Sequence, residues 1–321
     1  MNKTMMRVVG VILVIATFLL ISECAKKEKP ILGSGDAASA VYVAPGDYDE
    51  FYAFTSGGFS GQLGVYGLPS GRLFREIPVF SVDPENGYGF NEETKDMLKT
   101  SFGYIPWDDS HHPELSQTDG VTDGRWIFIN GNNTPRIARI DLKNFETAEI
   151  IEIPNSGGNH GSPFITQNSE YVVASTRFSV PIPQADVPID SYKENFGGTI
   201  SFIKVNPDDG HMNIEFQIIV PGYDYDLASG GKGPSHGWAF FTCYNTEQAN
   251  TLLEVNASKN DKDFIAAVNW KLAEKYLAEG KGKVRPGEHY TNRMNHTTHS
   301  AVSTRNKTVV TLDPADCPGL I

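Results

Sequence analysis

Three of the eight histidines stand in contexts suited to metal chemistry. His111 and His112 are adjacent, preceded by Asp108-Asp109-Ser110 and followed by Pro113. Imidazole is a borderline ligand that suits copper, zinc, iron or nickel. Adjacent side chains of a strand point to opposite faces, so two such rings reach one ion only from irregular backbone. Pro106 and Pro113 favour that irregularity. A carboxylate such as Asp109 can orient one ring through its second nitrogen. Taken alone, the pair reads more readily as a solvated polar loop with two incidental histidines than as a metal site. His160 lies in Pro154-Asn155-Ser156-Gly157-Gly158-Asn159-His160-Gly161-Ser162-Pro163. Glycines on both sides allow close backbone approach and put the ring at a loop tip. Alone it reads as either a ligand or a loop residue.

The elements that must position these rings are short strands. Apolar or alternating runs bounded by Gly, Pro, Asn and Asp fall at Gln62–Leu68, Arg125–Asn130, Arg136–Leu142, Ala148–Ile153 and Tyr171–Ser175. Others follow at Thr199–Val205, Ile214–Val220, Trp238–Cys243 and Thr308–Leu312. Asp123-Gly124 is expected to turn the chain into the strand Arg125–Asn130, and Asn133-Thr134-Pro135 to turn it again. A turn and three strands of this kind resemble a propeller blade, with weaker copies at 57–80 and 168–221. An all-β propeller is therefore expected, with a two-sheet sandwich array as the alternative. Loops of successive blades meet on a propeller axis, which would let His160 join the His111-His112 pair. Helical spacing from Asp263 to Ala278 predicts an inserted helix, stopped by Gly280. About four blade-like units are legible, and a propeller has to close, so the chain is expected to be incomplete after Ile321.

Composition narrows the partners. The net charge of −12 argues against nucleic acid and against docking on anionic lipid. Lys3 and Arg7 followed by the apolar run Val8–Ile21 read as a secretory signal over 1–24, too short for a span of roughly 20 residues. There is no Arg-Arg pair, so the general secretory route to the periplasm is expected. Cys24 offers a lipidation site, although Glu23 stands where a small residue is usual; cleavage nearby or an uncleaved anchor are the other readings. A polar linker over 25–40 precedes the domain at 41–321. Cys243 and Cys317 could pair, but no spacing demands it and no thiolate metal motif exists.

Several of these motifs together resemble one family. Asp109-Ser110-His111-His112-Pro113, Thr118-Asp119-Gly120, Asp123–Asn130, Arg136–Leu142 and Ile153-Pro154-Asn155 with His160-Gly161 look like nitrous oxide reductase. Ser56–Gly61, Arg75–Phe80 and Thr242–Glu247 fit the same family, so the resemblance covers roughly 41–321. The missing twin-arginine signal suggests its Sec-exported, second lineage. The resemblance implies a seven-bladed propeller holding a four-copper sulfide cluster on seven histidines, followed by a cupredoxin domain with a dinuclear copper site. It implies a head-to-tail homodimer, a small electron donor such as a c-type cytochrome, and two-electron reduction of nitrous oxide to dinitrogen and water. By position His111, His112 and His160 match the first three copper ligands; the other four and the cupredoxin domain have no counterpart here. The resemblance also implies calcium on Tyr244, Glu247 and Asp263, with Asp261 as the fallback.

The other histidines have no counterpart among the family's ligands. His236 in Pro234-Ser235-His236-Gly237-Trp238 is expected to be structural. His289, His296 and His299 read as a solvated loop, and His211 as part of a turn. The competing function is an exported propeller that binds a partner without redox chemistry. A metal hydrolase ranks last, because no general base stands near the histidine pair. With three of seven ligands, the isolated 321-residue chain is expected to be inactive and poorly soluble.

Overall fold

A computed structural model describes residues 37–161, 163–178, 180–182, 196–220, 223–245, 264–286 and 308–321. The signal and most of the linker, Glu247, Asp261, Asp263, His289, His296 and His299 lie outside them. The chain divides into a small unit, Met1–Phe51 with Gly67–Arg72, and a large one, Tyr52–Tyr66 with Leu73–Ile321. In the small unit the one-turn helix α1 (Ala37–Ala40) precedes Asp49. The Asp49 carboxylate accepts from the Ser70 amide and hydroxyl, both at 2.9 Å, and from Arg72 at 3.2 Å.

The rest is all-β and propeller-like, built from mostly antiparallel sheets in chain order. The first holds β1 (Phe51–Ser56), β2 (Gln62–Leu68) and β3 (Leu73–Pro78). The helix α2 (Glu92–Met97) and the small pair β4 (Lys99–Thr100) and β5 (Gly103–Tyr104) follow. The second sheet runs β6 (Glu114–Thr118), β7 (Val121–Asn130), β8 (Arg136–Asp141), β9 (Glu146–Glu152) in spatial order. The third has β10 (Phe164–Ile165), β11 (Tyr171–Ser175), β12 (Val180–Pro181), β13 (Phe196–Val205) and β14 (Met212–Val220). The fourth is β15 (Tyr223–Gly230), β16 (Trp238–Asn245), β17 (Phe264–Asn269). After α3 (Trp270–Ala278), β18 (Lys283–Pro286) and β19 (Thr308–Leu312) return to the third sheet, where β19 lies parallel to β14.

Period-two burial decides how these sheets stack. In β7, Ile127 and Ile129 face the first sheet and pack with Leu63, Val65 and Ile77. Trp126 and Phe128 face the third sheet and pack with Val172, Ala174 and Ile203. In β11 the same alternation sends Tyr171 and Val173 toward Tyr225, Ala239 and Phe241 of the fourth. Central strands buried on both faces explain the nearly continuous apolar runs. Each such side chain removed from water contributes about 1.5–3 kcal/mol. Cys243 and Cys317 both lie in the last of these cores as thiols, with no disulfide between them.

Two expectations need correction. The helix does not begin at Asp263; residues 264–269 are β17, paired with β16 through Trp238↔Asn269 to Cys243↔Phe264. Alternation outweighs helical spacing there: Ala266 and Val268 are buried and Ile265 is exposed. Asn269 then caps α3, its side chain accepting from the Leu272 amide at 3.0 Å, and Trp270 and Ala273 enter the core.

Asp123-Gly124 is not the turn either. The hairpin closes at Asp119-Gly120, both at positive φ (51° and 76°), between Thr118 and Val121. That is the conformation a two-residue hairpin of this hand requires. Asp123 instead lies inside β7 and accepts from Ser116, from Thr118 and from Arg125. Burial pushes its carboxyl up, but the bonds from the Arg125 side chain, Ser116, the Arg125 amide and Thr118 outweigh it and hold the pKa at about 2. A folded-state pKa below the unfolded value stabilises above about pH 4, and this is lost as pH falls through about 2. Asp123→Asn should therefore cost about 1–2 kcal/mol at pH 7, allowing for solvent screening at the half-exposed Arg125. Urea unfolding at several pH values should show the difference from wild type closing between about pH 4 and 2.

Candidate metal centre

The segment carrying the histidine pair is pinned from below by a buried ion pair. Asp108 is fully buried and accepts from the Asn133 amide at 3.0 Å, the Thr134 amide at 2.9 Å and the Thr134 hydroxyl. Its Oδ2 lies 3.6 Å from the guanidinium of Arg136, which is itself buried. Arg136 also donates to the carbonyls of Ile105 at 3.0 Å and Trp107 at 3.1 Å. Gly131 is required beside this pair, because a Cβ there would collide with Asp108 Oδ2. Trp107 is fixed by its indole N–H, which donates to the Phe59 carbonyl at 2.7 Å, and its ring stacks on that of Phe59.

Ser110 is the last residue of this segment held in strand-like pairing. It bridges Gly58 on one side and Gly131 on the other, and its hydroxyl donates to Gln62 O at 2.7 Å. His111, His112 and Pro113 then cross to β6 with no regular structure, as two rings aimed at one place require. The His160 loop is drawn in by Arg177, whose amide donates to Gly158 O at 2.7 Å, and by Gly157, whose amide donates to Phe178 O at 3.1 Å. A Cβ on Gly157 would meet Phe178 at 2.9 Å, which is why this loop needs glycine.

The result is a cluster of three half-buried imidazoles. Ligand-capable nitrogens of His111, His112 and His160 all lie within 4.8 Å of one another. The ring centroids are 4.4 Å apart for His111 and His112, 4.9 Å for His111 and His160, and 5.8 Å for His112 and His160. With metal–nitrogen bonds of about 2.0–2.1 Å, two nitrogens on one ion are at most about 4.2 Å apart. The 4.8 Å spread of the cluster is slightly wider than that, so one ion held by all three rings requires them to close in. Asp109 Oδ1 is buried, makes no hydrogen bond and lies 3.7 Å from His111 Nδ1. That is ion-pair range and longer than a hydrogen bond. Its other oxygen accepts from Asn132 at 2.9 Å, and Asn132 accepts from Arg177 at 2.6 Å.

One residue in this centre was not singled out by sequence reasoning. Asn130, fully buried at the end of β7, contacts both histidine loops. The His111 amide donates to its carbonyl at 3.1 Å and the His112 amide to its Oδ1 at 2.8 Å. Its Nδ2 donates to the carbonyls of Asn159 at 2.7 Å and His160 at 3.1 Å. Only the position of a lone asparagine after four apolar residues could have marked it.

The other described histidines stand apart. His236 Nε2 is 2.8 Å from Glu170 Oε1, with its ring against Trp270. His211 Nδ1 is 2.8 Å from Glu149 Oε1, at the turn before β14. Tyr244 lies on β16, while Glu247 and Asp263 lie outside the described residues. No helix among the described residues is long and apolar enough to cross a membrane.

No family model matches the chain. Among solved structures, Kuenenia stuttgartiensis hydrazine synthase covers 65% of this chain, which covers 55% of that one, at 11% identity and a TM-score of 0.40, too low to carry an argument. Sequence relatives are clearer. A nitrous-oxide reductase of Pseudomonas fluorescens is 35% identical over 248 residues, which is 77% of this chain and 37% of that protein. One of Stutzerimonas stutzeri is 32% identical over 247 residues, 76% of this chain and 37% of the relative. The chain thus spans little more than a third of the length of these relatives. By sequence it belongs with the nitrous-oxide reductases, matching a part of their length as an N-terminal portion would.

Proposed function

We propose that this chain contributes His111, His112 and His160 to a copper centre that reduces nitrous oxide to dinitrogen and water. The observation that carries the reading is the convergence of those three rings from two loops, in a chain whose relatives are nitrous-oxide reductases. Nitrogen donors of this kind favour copper over the other divalent first-row metals. When bound, copper supplies the redox centre at which nitrous oxide accepts two electrons and two protons. The chain's own residues hold the rings: Asp108 and Arg136 fix the loop, and Asp109 faces the second nitrogen of His111.

Three imidazoles are too few for a four-copper sulfide cluster, so the reading requires further ligands. The 321 residues alone are accordingly expected to show no turnover. The same reading assigns Tyr244, Glu247 and Asp263 to calcium, a cation that takes hard oxygen ligands. It makes the protein an exported, periplasmic one, homodimeric when full-length, with a small c-type cytochrome as electron donor.

The test is to purify the protein from its own cells without oxygen, measure copper by mass spectrometry, and assay nitrous-oxide-dependent oxidation of a reduced viologen. Copper should copurify, and His111→Ala and His112→Ala should each lose most of it. A copper-free protein, indifferent to both changes, would favour a binding propeller instead. Turnover by the 321-residue chain with about four coppers per chain would refute the requirement for further ligands.

A further inference from the structure

Asn130 is suited to a task that none of the histidines can perform. An amide on a one-carbon arm offers an acceptor and two donors in one plane. Here the acceptor meets the His112 amide at 2.8 Å, and the donors meet the carbonyls of Asn159 and His160 at 2.7 and 3.1 Å. The main-chain carbonyl of the same residue takes the His111 amide at 3.1 Å. Asn130 itself is held in the β7–β8 ladder opposite Ile137, inside the core of the second sheet. Each bond therefore ties a loop backbone to a residue held in the sheet. The three side-chain bonds are buried or partly buried, where an amide group left unmatched is costly.

We propose that Asn130 is the positioning residue that makes His111, His112 and His160 one preorganised copper site. The proposal rests on the copper reading above. Asn130 does not touch the metal; it sets the distance between two loops before any metal arrives. Partners that orient metal ligands contribute roughly 10–100-fold in affinity.

Asn130→Asp separates positioning from bulk. The carboxylate keeps the shape and can still accept from the His112 amide, but it loses both donors and turns negative charge toward two carbonyls. Asn130→Leu keeps the volume and loses everything polar. The metal-free full chain and both variants would be titrated with Cu(I) against a chromophoric chelator. Cu(II)-loaded samples would be examined by electron paramagnetic resonance for nitrogen hyperfine structure. Asn130→Asp should bind Cu(I) about 10–100-fold more weakly, with a changed nitrogen pattern. Wild-type affinity and pattern in either folded variant would overturn the proposal.

Should both variants fail to fold, hydrogen exchange on the wild type decides. The His112 amide should already be protected without metal and slow little further on adding copper; rapid exchange before copper would overturn preorganisation. A wild-type chain that binds no copper at all would overturn the copper reading itself, and this proposal with it. Copper binding that Asn130→Asp leaves unchanged would overturn only this proposal.

Discussion

His160→Ala is expected to weaken copper binding by more than about 100-fold, because loss of a ligand exceeds the 10–100-fold typical of losing an orienting partner. The same change should leave the fold alone. His160 is only half-buried, at the tip of a loop, and outside all three apolar cores. The bonds that hold its segment come from its own carbonyl and from neighbours: Asn130 to the His160 carbonyl, Arg177 to Gly158, Gly157 to Phe178. Competition titration with Cu(I) gives the affinity, and thermal unfolding of the metal-free chain gives the control. Strong loss of copper with an unchanged melting temperature is the expected pair of results. Loss of both would mean that the ring is a packing residue.

The largest effect on stability is expected at the other end of the same machinery. Arg136 is among the largest fully buried side chains, and it connects Asp108, Ile105 O, Trp107 O and the Thr134 hydroxyl while stacking on Phe80. Arg136→Met keeps the stem and removes the charge. Asp108 is then left buried as an anion with neutral donors only, and two carbonyls lose their partners. Breaking a buried pair from one side costs about 3–5 kcal/mol. For a chain of this size that lowers the melting temperature by on the order of 10 °C. Because the loop from 105 to 112 hangs on this pair, copper affinity should fall as well. Thermal unfolding of Arg136→Met beside wild type checks the first effect. A shift within a degree or two would mean that the pair contributes little to the fold.

Much of the fold is legible before any coordinates. The apolar runs at Arg125–Asn130 and Tyr171–Ser175 become central strands because sheets cover both faces, and such burial writes itself directly into composition; in Trp238–Cys243 one face alone, Ala239, Phe241 and Cys243, is buried and Phe240 is exposed. The ambiguous places are those where two local rules apply at once. Two Asp-Gly pairs start four residues apart, at Asp119 and Asp123, and only cross-strand pairing of Thr118 with Val121 selects the first. Residues 264–269 satisfy both a helical and an alternating pattern, and the unpaired edge of β16 decides for strand.

The metal centre divides in the same way. Its chemistry is carried by residue type, so His111, His112 and His160 can be named in advance as candidates. Their meeting point depends on Asn130, Asp108, Arg136 and Arg177, whose roles arise from contacts between segments far apart in the chain. An asparagine at the end of a strand reads as a turn residue until the two loops it holds are seen.

X-ray absorption at the copper edge, on the chain loaded with Cu(I), addresses the three-histidine site most directly. Imidazole scattering from about three rings, falling by about one ring in each of His111→Ala, His112→Ala and His160→Ala, is the predicted result. Copper bound with the same ligand shell in all three variants would contradict it.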